Sequence, residues 1–134
     1  MPTVKEIKTF IAGEALAAHR RVRVMTDSPA TVTDPPEVVY ADAGEDYNGV
    51  TEYAAADGAE VACKLNNYPG TIEIECTVSS AIARGTVLYG AADGKISDAS
   101  SGSAQGIAME AAGASGDVIE VCPWGVKSTS AANV

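Results

Sequence analysis

Large aromatic side chains and basic side chains are both scarce in this sequence. It holds one Trp, one Phe and one His, and aromatics make up 5% of its 134 residues. Leu, Ile, Val and Phe together number 26, so the core is expected to be thin. Its 24 alanines and 13 glycines fill space but add little apolar area, and burial stabilises by only about 25 cal/mol per Å². Partner surfaces are the expected remedy for an isolated chain built this way. Lys and Arg number 9 against 18 Asp and Glu, for a net charge of −9. Five of the nine, Lys5, Lys8, Arg20, Arg21 and Arg23, fall within the first 24 residues. Residues 25–48 contain Asp27, Asp34, Glu37, Asp42, Glu45 and Asp46 and no Lys or Arg. An acidic body excludes nucleic acid as the partner, because phosphate contact requires a basic surface. The acidic stretch itself reads as a solvated loop, or as a face turned to solvent on a crowded assembly.

Sites for chemistry are missing as well. There is no GxxxxGK[ST] or GxGxxG loop for phosphates. Cys63, Cys76 and Cys122 are odd in number and lack CxxC spacing, so they read as free thiols, with Cys63 and Cys122 buried in strands. His19 with those cysteines lacks the close-spaced ligand pairs of a structural zinc site. It also lacks the orienting partner and oxyanion donors of a nucleophilic site. Glu73 and Glu75 share one face of a strand, as glycosidase acids do, but also as any polar strand face does. No catalytic residue, cofactor or metal is expected. No apolar run reaches membrane-spanning length. The polar start, with Lys5, Glu6 and Lys8, lacks the pattern of a signal peptide, so synthesis in a reducing cytoplasm is expected.

What the sequence does have is a repeat. The run 16–65 matches 81–123. Ala18-His19-Arg20-Arg21-Val22-Arg23-Val24 faces Ala83-Arg84-Gly85-Thr86-Val87-Leu88-Tyr89, and Val32-Thr33-Asp34 faces Ile96-Ser97-Asp98. Gly49-Val50-Thr51 faces Gly106-Ile107-Ala108, and a turn glycine follows in each copy, Gly58 or Gly116. Val61-Ala62-Cys63 then faces Ile119-Glu120-Val121. The repeated words are strands and turns, with no reactive group among them. A duplicated scaffold without a duplicated site implies a protein whose product is a shape.

Many short strands separated by regularly spaced turns predict an all-β fold, a small barrel or sandwich built from two similar units. The clearest strand is 71–79, with Ile72, Ile74, Cys76 and Val78 on one face and Glu73, Glu75 and Thr77 on the other. Asn66-Asn67-Tyr68-Pro69-Gly70 reads as a type II turn joining the units. The organisation predicted is an N-terminal arm over 1–14, a first unit over 15–65, a second over 71–124 and a frayed tail over 125–134. The prolines at 29, 35 and 36 mark 25–48 as a loop-like insertion, apart from a strand at Val38-Val39-Tyr40.

The second unit carries a family resemblance. Ala83-Arg84-Gly85-Thr86-Val87-Leu88-Tyr89, Asp93-Gly94-Lys95-Ile96, Gly106-Ile107-Ala108-Met109-Glu110-Ala111-Ala112 and Gly116-Asp117-Val118-Ile119-Glu120-Val121 resemble the small capsid decoration, or cement, proteins of tailed bacteriophages. The resemblance implies a β-rich, non-enzymatic virion protein on the capsid exterior that stabilises the shell. Its partner would be the major capsid protein, and copies would form a trimer with an N-terminal arm reaching onto capsid subunits. The arm residues are then Pro2, Val4, Lys5, Ile7, Lys8, Phe10 and Ile11; Arg20, Arg21 and Trp124 form a second candidate interface set. A carbohydrate-binding or host-attachment module is the alternative, resting on Tyr40, Tyr47, Tyr53 and Tyr68.

Overall fold

The computed structural model describes residues 7–25, 36–65 and 70–123. Ten strands and one turn of 3-10 helix, at Ala92–Gly94, account for its regular structure. The first five strands are β1 (Ile7–Ala12), β2 (Arg21–Val24), β3 (Glu37–Tyr40), β4 (Gly49–Thr51) and β5 (Glu60–Leu65), and they close into a barrel in the order β1-β3-β2-β4-β5. The second five are β6 (Ile72–Thr77), β7 (Val87–Gly90), β8 (Ile96–Ser97), β9 (Ala104–Ala108) and β10 (Val118–Pro123). They close in the corresponding order, β6-β8-β7-β9-β10, with one parallel pair in each barrel: β1 with β3, and β6 with β8. The fold is therefore all-β and duplicated. It resolves into barrels, whose closure leaves no unpaired sheet edge.

Equivalent backbone bonds make the duplication exact at the turns. Gly58 N–H donates to the Ala12 carbonyl (2.8 Å), and Gly116 N–H to that of Cys76 (2.9 Å). Both glycines need positive φ, +87° and +99°, a region costly for residues with a Cβ. Isolated bridges at Leu16–Ala55 and Ile82–Ala112 also correspond.

Pairing partners correct the repeat by one residue over β2. Val24 opposes Val38, and Gly90 opposes Ile96, which sets Val24 against Gly90, Arg21 against Val87 and Val22 against Leu88. Matching by sequence set Val22 against Val87. Side chains alternate along a strand, so a slip of one exchanges core and surface. Val22 and Leu88 are both fully buried, which settles the register. Likewise Val38, not Val32, holds the place of Ile96; residue 32 lies outside the described residues.

Two further boundaries change. The predicted arm includes residues that form β1, a barrel stave bonded to β5 along its length and to β3 at its end. Phe10 and Ala12 point inward and are buried. An alanine at the second inward position hid the alternation. Residues 25–48 likewise are no mere insertion, because β3 sits within them and pairs with strands on both sides. The predicted turn at 66–69, the tail and Trp124 lie outside the described residues.

The first core is Phe10, Ala12, Leu16, Val22, Val38, Val61 and Cys63. At the equivalent positions the second has Ile74, Cys76, Ile82, Leu88, Ile96, Ile119 and Val121. These seven positions match apolar for apolar; the second core adds Ile72 and Ala108, whose equivalents in the first barrel are the exposed Lys8 and the buried Thr51.

Candidate functional site

The junction between the barrels is where most of the polar side chains with long-range partners converge. Arg21 lies on the outer face of β2, yet it is fully buried because the second barrel covers it. Its guanidinium donates to five carbonyl oxygens. Nε reaches Lys95 (2.9 Å) and Nη1 reaches Glu45 (3.0 Å). Nη2 reaches Ala41 (2.8 Å), Ala91 (2.8 Å) and Asp42 (3.3 Å). The acceptors come from both barrels, so this one side chain joins them. Burial pulls its pKa down to about 10, against the opposing pull of Tyr47, Asp42, Glu45 and Asp46. The acidic 42–46 loop thus supplies countercharge to a buried cation, which is more than the solvated loop expected.

The β3–β4 connection continues the joint. Ala41, Tyr47 and Val50 belong to the second barrel's hydrophobic cluster, beside Ile72 and Ile74. Gly94 N–H donates to the Ala41 carbonyl (3.1 Å), Asp93 N–H to Asp42 Oδ1 (3.1 Å) and Gln105 Nε2 to Asp46 Oδ1 (3.1 Å). Glycine is needed at position 90, where a Cβ would lie 2.8 Å from both Nη atoms of Arg21. Arg20 completes the contact with an ion pair to Glu75 (3.0 Å) and a bond to the Asp93 carbonyl (3.0 Å). Lys95 approaches the other oxygen of Glu75 at 3.7 Å.

A shallow groove of about 180 Å³ runs along this junction, lined in part by His19, Thr51, Tyr53, Lys64, Ile72 and Glu73. The Thr51 hydroxyl donates to the Ala17 carbonyl (2.8 Å) and accepts from Arg20 N–H (3.1 Å), which occupies it with backbone. No group of three metal-ligating side chains forms among the described residues. Burial raises the Cys63 thiol to about 12 and raises that of Cys76. Cys122, expected to be buried, is exposed, since it alternates outward on β10 between Val121 and the strand end.

The candidate interface residues are therefore dispersed. Arg21 and the ion-paired Arg20 are spent inside the chain, which removes them as a free basic patch. Their five-carbonyl and carboxylate partners had no signature in the sequence beyond an adjacent Arg pair on a strand. Of the arm set, Phe10 is in the core, whereas Ile7 and Lys8 are exposed and Ile11 is half-buried. Pro2, Val4 and Lys5 lie outside the described residues. The tyrosines do not form a platform. Tyr40 accepts from Ala17 N–H (2.8 Å), Tyr47 is buried against Arg21, and only Tyr53 is freely exposed; Tyr68 lies outside the described residues.

The sequence matches the phage cement protein family over residues 5–123, and the chain belongs to that family. It is a capsid-bound structural protein of the virion. A similar solved structure is the head fiber gp8.5 N base of bacteriophage phi29, with a TM-score of 0.68 and 19% identity. The match covers 88% of this chain and 92% of that one, so the two share the fold. No curated protein matches the sequence.

Proposed function

We propose that this chain binds the outer surface of the assembled capsid through the major capsid protein, stabilises the shell without catalysing a reaction, and does so as a homotrimer. Before assembly it resides in the host cytoplasm. The observation that carries the reading is the family match over nearly the whole duplicated fold. Capsid contact falls to the N-terminal residues Pro2, Val4 and Lys5, together with the exposed Lys8. A protein that binds the intact lattice and not its dissociated parts shifts the equilibrium towards the lattice. Capsids saturated with the protein should therefore rupture at a higher temperature than bare ones, measured by release of packaged DNA. Equal rupture temperatures at saturating and zero occupancy would overturn the cement role.

A further inference from the structure

The junction groove and the start of β1 lie side by side. Ile7, the first residue of β1, is in register with Lys64 on β5, and Lys64 lines the groove. The capsid-contact residues Pro2, Val4 and Lys5 directly precede Ile7 in the chain. From Pro2 to Ile7 the chain reaches at most about 18 Å, so a subunit engaged by these residues meets the groove as well. Two of the four exposed large apolar side chains among the described residues border this place: Ile7, 49% exposed, and Tyr53, 67% exposed. The other two, Met109 and Val118, do not line the groove.

Charges in the groove do not balance. Glu52 pairs with Lys64 at 3.6 Å. Glu73 is exposed and has no ion-pair partner among the described residues. Its neighbour on the same strand face, Glu75, holds both Arg20 and Lys95. Opposite Glu73 on β10 stands a second carboxylate, Glu120, and like charges in register repel. One carboxylate therefore stays uncompensated in a groove that Tyr53 also lines.

His19 sets the groove apart from a mere gap between barrels. Its backbone has φ +63°, a conformation costly for a residue with a Cβ. Its equivalent in the second barrel is Gly85, with φ +93°. The two make the same backbone bond: His19 N–H donates to the Thr51 carbonyl (2.9 Å), and Gly85 N–H to that of Ala108 (2.7 Å). Glycine suffices for the turn. What histidine adds is an imidazole on the groove wall, and strain kept where glycine would serve points to function.

We propose that the groove seats a basic side chain, arginine or lysine, of a capsid subunit. The cation pairs with Glu73 and lies against the Tyr53 ring, combining a charge-assisted bond with a cation–π contact, and His19 walls the seat. The proposal rests on the capsid binding set out above. It adds which side of the molecule faces the shell and what is recognised there.

Binding of the full chain to bare capsids, measured by cosedimentation across protein concentrations, tests it. Tyr53→Ala and Glu73→Gln should each weaken binding at least about tenfold, as central aromatic and charged contacts do. Added salt should weaken the wild type more steeply than Glu73→Gln. His19→Gly should also weaken binding and yet unfold on heating no earlier than the wild type, because it installs the residue that Gly85 already is. A histidine with a purely structural role would leave binding unchanged in that variant. Replacing Met109 and Val118 together by alanine should leave binding at the wild-type level. If the wild type binds and Tyr53→Ala and Glu73→Gln bind equally well, the seat is overturned and the capsid role stands. Should those two variants misfold, unchanged binding of His19→Gly overturns it instead. A wild type that does not bind capsids removes the capsid role and the seat with it.

Discussion

The two barrels share seven equivalent apolar core positions and differ in what surrounds them. In the first, the core is filled by its own residues alone. The second includes Ala41, Tyr47 and Val50, all donated by the first. Duplication has therefore conserved the inward positions and freed the outward ones to specialise. The outward positions of the first barrel became a clamp, with Arg21 as its centre. Those of the second meet it with Glu75 and with the carbonyls of Ala91 and Lys95. A thin core of alanines and short aliphatics is supplemented by burial between the two barrels of the same chain.

Breaking the clamp tests that comparison most severely. Arg21→Leu keeps the volume apolar and removes the guanidinium from five carbonyl oxygens; those of Ala41, Asp42 and Lys95 keep a backbone N–H each, so the loss falls on those of Glu45 and Ala91, one from each barrel. Unsatisfied buried acceptors cost about 1–3 kcal/mol each in unfavourable cases, though relaxation and water entry reduce the sum. The expected loss is at least about 3 kcal/mol of unfolding free energy, measured by denaturant titration. The single cooperative transition should also split, with the second barrel unfolding first because it loses its donated residues. A variant that unfolds in one transition at the wild-type midpoint would show that the apolar contacts of Tyr47 and Val50 suffice.

The inward pattern was legible in sequence wherever large aliphatics mark it. Ile72, Ile74 and Cys76 alternate against Glu73, Glu75 and Thr77, and the strand falls there. It was illegible at β1, where Ala12 fills an inward position that in a longer strand pattern would be Val or Ile. It slipped by one residue at β2 because Arg20-Arg21 precedes Val22, and a charged residue is read as surface. Arg21 is indeed on the outside of its barrel; what a linear reading cannot supply is that another barrel covers that outside. Arg20 and Arg21 read as a free interface pair for the same reason. Charge announces that a side chain seeks partners, without saying whether they lie in the same chain.

A smaller effect separates the two cores by pH. Cys63 in the first barrel occupies the position of Val121 in the second. Burial raises the Cys63 thiol from 9.0 to about 12. Its contribution to stability is complete below pH 9, where the thiol is neutral folded and unfolded alike, and it is lost as pH rises towards 12. Tyr47, raised from 10.0 to about 12 by burial, acts in the same direction from pH 10 upward. Arg21, lowered from 12.5 to about 10, acts oppositely over that upper range, because the unfolded chain holds the proton longer. Between pH 9 and 10, Cys63 acts together with Cys76 of the second core, whose thiol is also raised by burial. Cys63 alone should lower stability by about 1 kcal/mol across that unit, and Cys63→Val should reduce the slope by that much. A slope unchanged by Cys63→Val would place the alkaline weakness elsewhere.

The smallest expected effect sharpens the contrast between the buried Arg21 clamp and the ion pair beside it. Arg20 directs two nitrogens at one oxygen of Glu75, Nε at 3.1 Å and Nη2 at 3.0 Å, with side chains only 14% and 20% exposed. Exposed ion pairs contribute about 0.2–1 kcal/mol, and partial burial strengthens the interaction while adding a desolvation cost. A double-mutant cycle with Arg20→Gln and Glu75→Gln should give a coupling of about 1 kcal/mol, declining with added salt because the groove admits ions. Lys95, 3.7 Å from the other oxygen of Glu75, remains to neutralise the carboxylate when Arg20 is removed, so Glu75→Gln alone should cost more than Arg20→Gln. A coupling near zero would make Arg20 a positioning element for the Asp93 carbonyl alone.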